Sequence, residues 1–270
     1  MELLTTAKRF KTLLHPVVNV TDDDIFADQL MHVQHAHLEV DRLFGGPEYA
    51  NPTASFCDLH VMNDTHSDTG VAYVRKSCSM LPFDLQVTEK ALWRALAEEG
   101  TKKDSYFLDE RVSSETMVSR SYGQHSKAGS LYANVLGKQT YRKYVKDNCV
   151  MIMWKWVVDP IEVNETKFSG LRCHEIGWIV LRGVDFVDTK LGGSVAHIKA
   201  SLRSTLLQSY SKMTMELQDD IADQELQVGA LTDFVVNLHD TISEVCGKMV
   251  ADVLLEEDWN LNGWLGNRMS

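Results

Sequence analysis

Three histidines, His32, His35 and His37, are the first residues in this chain whose type and spacing suggest chemistry. Imidazoles gathered on one face bind transition metals. His32 and His35 are three apart and would share a helix face, but His37 turns away from His35 and no acidic residue completes an HExxH-type pair. The spacing argues against a metal centre. Gly192-Gly193-Ser194 lacks the spacing of a dinucleotide fingerprint or a P-loop and reads as a turn. No serine sits in a GxSxG elbow. With no cofactor motif and no catalytic constellation, the chain reads as a non-enzyme. The most distinctive alternation is at Val150–Val158, where Val150, Ile152, Trp154, Trp156 and Val158 interleave with Met151, Met153, Lys155 and Val157. A strand apolar on both faces is sandwiched, one face on a core and the other on a helix or a ligand. Plain core is the simpler reading, although methionines such as Met151 and Met153 also suit a cavity that accepts varied apolar shapes. Further on, Arg172, His174 and Trp178 share one strand parity, and Cys173, Glu175 and Ile179 share the other. A slip of one residue exchanges the two sets, so sequence leaves open which faces inward.

The elements that must position these residues are clearer. Leu231, Val235, Leu238, Ile242, Val245, Met249 and Val253 recur every three or four residues between Asp223 and Leu255. They form one apolar stripe on a helix of about 30 residues, roughly 45 Å long. Asp233, Asn237, Asp240, Glu244, Lys248 and Asp252 occupy the other face. A stripe that long needs a broad apolar surface to cover. Upstream, Thr21-Asp22-Asp23-Asp24 is a helix start, and the helix it opens stops at Gly45-Gly46-Pro47. Segments 55–62 and 69–80 read as a strand hairpin, and 87–98 as a short helix. From Ser113 the period becomes two, giving strands over 114–124, 131–145, 150–163, 171–185 and 195–212 with short polar separators. That rhythm predicts an antiparallel sheet and an α+β fold, with no βαβ repeat. The domain spans 21–258, preceded by a segment over 1–20 of uncertain order and followed by a Trp-containing tail over 259–270. The tail, with Trp259 and Trp264, either folds back on the domain or docks a protein partner.

Composition bounds the partners. The 270 residues are 44% hydrophobic, 24% charged and 9% aromatic, with a formal net charge of −11. Phosphate contacts need Lys and Arg, so the acidic balance argues against nucleic acid as a partner. No apolar run approaches the roughly 18 residues of a membrane span, so stable membrane insertion is not expected. The N-terminus has scattered charges and no small-residue cleavage site, unlike a secretory signal. Five widely spaced cysteines without a CxxC read as reduced thiols, which places the protein in the cytoplasm or nucleus.

Three phrases carry a family resemblance: VMIMWKWVVDPIE from Val150, SGLRCHEIGWIVL from Ser169 and STLLQSY from Ser204. With the order of elements, they resemble START-like helix-grip domains of oomycete proteins, in particular the oomycete mating-specific family, over about residues 50–255. The basic coiled-coil and zinc-finger parts of that family are missing, so roles tied to them do not carry over. The resemblance implies a long curved antiparallel sheet gripping the C-terminal amphipathic helix, with a sterol, phospholipid or other hydrophobic molecule held between them. Some relatives instead catalyse cyclisations or only bind partners. Helix-grip pockets often hold one or two charges that orient a ligand's polar end, and Arg120, Lys155, Arg172, His174 and Glu175 are candidates, each also readable as a surface charge. The implied cavity lining is Met151, Met153, Trp154, Lys155, Arg172, His174 and Trp178 from the sheet, with Leu238, Ile242, Val245 and Met249 from the helix. Residues 185–193 and 219–224 are the loops expected to gate it. A regulatory protein-interaction module with a small or filled cavity is the alternative.

Overall fold

The computed structural model describes residues 20–51, 55–100, 102, 105–128, 131–186, 202–217 and 224–263. The start signal at Thr21 closes a capping box: the Asp24 amide donates to the Thr21 hydroxyl and the Thr21 amide donates to the Asp24 carboxylate. Helix α1 (Asp22–His35) follows, then a tighter turn (Ala36–Glu39) and α2 (Val40–Phe44), which ends at Gly45. Strands β1 (Phe56–Asn63) and β2 (Val71–Leu81) form the expected hairpin. Helix α3 (Leu85–Trp93), capped by Asp84, runs into a wider-wound turn over Arg94–Glu99. Then come β3 (Ser105–Ser113), β4 (Met117–Ala128), β5 (Leu131–Lys146), β6 (Cys149–Val163), the two-residue β7 (Thr166–Lys167), β8 (Leu171–Phe186), β9 (Leu202–Leu217) and α4 (Gln224–Asn262).

All strand pairs are antiparallel, in the order β1-β2-β9-β8-β6-β5-β4-β3, with β7 beside β6. The sheet is long and curved, and with its C-terminal helix it makes an α+β arrangement in which the helix lies across one face.

Three elements differ from the sequence reading. Strand β3 was not anticipated, because it is the sheet edge and its apolar residues Tyr106, Phe107 and Leu108 are consecutive and exposed, so no alternation marks it. Strand β9 is described only from Leu202, and residues 195–201 lie outside the described residues. Helix α4 passes Leu255 and ends at Asn262, so Trp259 belongs to the helix, while Trp264 lies outside the described residues. Of the two expected gating loops, residues 187–193 and 219–223 also lie outside them.

Both faces of the sheet are covered. On the concave face, Val150, Ile152, Trp154, Ile179 and Leu181 pack with Leu92, Trp93 and Val250, joining α3 and the C-terminal half of α4. Toward the other end of that face, Tyr73, Cys173 and Met215 pack with Leu231 and Val235 of α4, and the Tyr73 and Thr232 hydroxyls are 2.5 Å apart. Helix α4 therefore runs across the concave face. Of its stripe, Leu231 and Val253 are buried and Val235 is half-buried. The side chains of Leu238, Ile242, Val245 and Met249 lie outside the described residues. On the opposite face, Asp233, Asn237, Lys248 and Asp252 are exposed.

The convex face is closed by the N-terminal elements. Met153, Trp178, Val180 and Leu206 pack under Ala36, Val40, Phe44 and Tyr49. The Trp178 indole donates to the Ala36 carbonyl at 2.8 Å. The amide of fully buried Gln29 donates to the Lys138 carbonyl at 2.8 Å, and its oxygen accepts from the Thr140 hydroxyl at 2.9 Å. The indole N–H and both ends of the Gln29 amide are thereby paired, whereas His32 Nε2 and His37 Nδ1 are buried there without a hydrogen-bond partner.

Leu231→Asp should cost about 3 kcal/mol or more, because it buries an unpaired charge under the sheet. Asp233→Asn should change stability by less than about 0.5 kcal/mol. Urea denaturation of both variants checks this, and equal midpoints would show that α4 is not docked through this face.

Candidate functional site

The register places a polar row across the middle of the concave face. Glu110 of β3, Arg120 of β4, Gln139 of β5, Trp156 of β6 and Glu175 of β8 are successive cross-strand neighbours. Met213 of β9 and Tyr73 of β2 continue the row. The next row on the same face is Val118, Tyr141, Trp154, Gly177, Ser211 and Arg75. The polar groups thus sit between the two apolar clusters that hold the ends of α4.

Each is held by a specific neighbour. Arg120 is fully buried, with an Nη1 to Glu110 Oε1 distance of 3.4 Å. Burial lowers its value, opposed by the Tyr141 hydroxyl and by Glu110. Glu175 accepts from the Trp154 indole N–H at 3.4 Å and from Ser211. Burial nevertheless raises its carboxyl above the ordinary range, against the pull of Arg75 and those two hydrogen bonds. Burial also raises the Tyr141 and Tyr122 phenols. Arg75 is half-buried, with its Nε covered and without a hydrogen-bond partner. The Trp156 Nε1 is also buried and has no acceptor at good geometry, although its N–H still opposes the rise at Tyr141. The indole N–H is therefore only loosely directed at that phenol.

Trp156, Glu175, Met213 and Arg75 all keep accessible surface. Glu175 does so while surrounded by protein closely enough to resist ionisation. Surface kept by polar and apolar side chains side by side on this face is surface that a bound molecule could contact. Tyr141, Trp154 and Tyr122 are buried. The Trp154 indole lies over Gly177 and the Tyr122 ring over Gly137, where any β-carbon would overlap them. These rings form a floor.

The sequence-predicted lining is divided between the two faces. Trp154 is on the concave face. Met151, Met153 and Trp178 are on the convex face, in the cluster under α1 and α2. Lys155 also points there and pairs with Asp28 of α1 at 2.6 Å. Arg172 pairs with Asp159 through Nε at 2.7 Å and Nη2 at 2.9 Å, and His174 Nε2 lies 2.7 Å from Glu216. By register these two share Trp178's side of β8. The six residues do not face α4. The correction is one of parity, since Val150–Val158 is apolar on both faces and gives no sign of which is which. Of the five candidate charges, the structure brings Arg120 and Glu175 to the concave face. Sequence reasoning missed Arg75, Gln139, Tyr141 and Trp156 as members of the site. The available signal was pairing: once Trp154 faces inward, Trp156 and Glu175 must follow.

His32 and His37 meet aromatic rings, Trp178 and Tyr144, with centroids at 5.6 and 5.2 Å. Among the described residues, no three His, Cys, Asp or Glu side chains are grouped to hold a metal ion. Nor, among them, is any helix long and apolar enough to cross a membrane. A separate surface cleft of about 400 Å³ opens at the rim between Asp84, Glu89, Asp147, Asn148 and Arg203.

No family model and no curated protein matches the chain. Solved structures do. The chain is similar to human STARD10 at 11% identity over 85% of this chain and 86% of that one, with a TM-score of 0.39. It is similar to a STAR-related lipid transfer protein fragment from Xanthomonas axonopodis at 11% identity, covering 75% and 99%, with a TM-score of 0.38. It is also similar to the Zhui aromatase/cyclase from Streptomyces sp. R1128 at 11% identity, covering 71% and 96%, with a TM-score of 0.39.

The raised Glu175 value has a consequence for stability. The folded state holds this proton more tightly than the unfolded state does. Its contribution therefore falls as pH climbs from the ordinary glutamate value through the folded one, and is constant above that. Glu175→Gln cannot ionise, so it should gain stability relative to the parent across that climb. Denaturation at a series of pH values up to neutrality measures the difference, and a flat difference would mean that Glu175 is solvated like a surface acid.

Proposed function

We propose that this protein binds a hydrophobic ligand, of the lipid or sterol class, between the concave face of the sheet and helix α4, without catalysis. The observation that carries the reading is the residual accessible surface of Trp156, Glu175, Met213 and Arg75 on the face that α4 crosses. An apolar enclosure with a few convergent polar groups is what a small-molecule site requires. Apolar rows on either side would take the hydrocarbon, and the polar row would orient one end of it. The cytoplasm or the nucleus is the compartment that fits reduced thiols such as buried Cys78 and Cys173. The narrower kinship with the oomycete mating-specific family rests on the three sequence phrases alone.

A second reading is a regulatory interaction module with a filled cavity. It is favoured by Leu255 and Trp259, which are 61% and 73% exposed one helical turn apart near the end of α4. An apolar pair so placed suits a protein partner.

Native mass spectrometry of protein purified from its source, followed by lipid extraction, separates the two. A co-purifying lipid near equal stoichiometry is expected, and a clean ligand-free mass would favour the module. Met213→Trp should fill the space and lower bound lipid by about tenfold or more while the protein stays folded. Unchanged lipid content in that variant would place the ligand elsewhere.

A further inference from the structure

Arg75 is the least satisfied charge among the described residues of the concave face. Its cross-strand neighbours are Leu59 on β1 and Ser211 on β9, and Tyr73 and Ser77 flank it along β2 on the same side. None of them is acidic. Among the described residues it makes no ion pair, and its Nε–H is buried without an acceptor. The nearest carboxylate on that face by register is Glu175, two strands away, or roughly 10 Å between backbones. Glu175 is already occupied by the Trp154 indole and Ser211. Glu110, the other acid of the polar row, is taken by Arg120 and Lys102.

A guanidinium is a permanent cation with five donors in a planar fork. Leaving a half-buried guanidinium with its buried Nε–H unpaired is costly, and no described residue supplies that N–H with an acceptor. Resting on the reading that a hydrophobic molecule occupies this space, we infer that the ligand carries a single carboxylate, which the Arg75 fork pairs with. The immediate surroundings are donors as well. Ser211 lies beside Arg75, and the Ser77 and Ser209 hydroxyls, 2.6 Å apart, lie next along the face. One cation balances one negative charge. A phosphate monoester would bring a second negative charge to a face where Glu175 already resists ionisation. A quaternary ammonium head would meet a like charge at Arg75. The aromatic floor does not offer it a cage either, because Tyr141 and Trp154 are buried and the indole is turned flat on Gly177. A bare sterol hydroxyl would leave the charge unanswered.

The test is direct binding to the full chain of four probes with one eighteen-carbon chain: oleate, oleyl alcohol, oleylamine and oleoyl lysophosphatidic acid. Binding is read by titration calorimetry and by the change in tryptophan emission. The parent protein should bind oleate about tenfold or more tightly than oleyl alcohol, the difference a charge-assisted pair makes. Arg75→Met should abolish that preference, and a circular-dichroism spectrum and urea midpoint matching the parent's show that the variant is folded. Arg75→Lys should restore part of it. Binding of all four probes with no preference, or with preference for the amine or the phosphate, would overturn the carboxylate assignment while leaving hydrophobic binding intact. Binding of none would overturn both.

Discussion

Trp154 lies flat across the strand beside its own, on Gly177, and only a hydrogen atom at that position leaves room for the indole. That contact fixes the pairing of β6 with β8, because a slip of one residue would bring a side chain under the ring. Since side chains alternate, one fixed pair orders every residue on both strands. Trp156, Glu175 and Cys173 must point toward α4, and Met153, Trp178 and Val180 must point away. The neighbouring strands inherit the same parity through their ladders, which is how residues as distant in sequence as Arg75 and Arg120 reach one face.

The convex face shows what the outward parity is for. A long sheet with one apolar face would need a single layer on top of it, yet this sheet is apolar on both faces and carries two layers. Helices α1 and α2 supply the second. They are tied down by hydrogen bonds that only a particular seating satisfies, from Trp178 to the Ala36 carbonyl and between Gln29, Thr140 and the Lys138 carbonyl. Lys155 adds its pair with Asp28 at the rim. Met151 and Met153 act here as fillers between sheet and helix, which is the ordinary use of a flexible thioether.

The sequence was most legible where one short-range rule acts alone. The capping box at Thr21, the stop at Gly45 and the striped helix ending the chain are local patterns, and each appears in the fold. Strand β3 was invisible because an edge strand with exposed Tyr106 and Phe107 has no face to alternate against. The site was half legible. Arg120 and Glu175 stood among the candidate charges, but so did Lys155, Arg172 and His174, and nothing short of register separates them. Arg75 carried no signal at all, since its role comes from what is missing around it in space. Composition cannot show an unpaired charge.

The polar row is hard to explain by stability. Arg120, Gln139 and Glu175 lie where a grip built only to hold would carry leucine or valine. Buried polar and charged groups seldom outperform apolar packing of the same volume, and here burial already disfavours the charged forms of Arg120 and Glu175. The apolar clusters on either side are enough to seat α4 at both ends, through Leu231 and through Val250, Val253 and Leu254. Of the row, Tyr73, Met213 and Trp156 join those anchors, whereas Arg120, Gln139 and Glu175 belong to neither apolar cluster. What these three do is set donors and one reluctant acid at a fixed depth under the middle of the helix, on rigid strands rather than on loops. Rigid strands hold polar groups to a defined geometry, the requirement for orienting one end of an otherwise featureless hydrocarbon. The placement therefore makes chemical sense for a molecule that is apolar along most of its length and polar at one point.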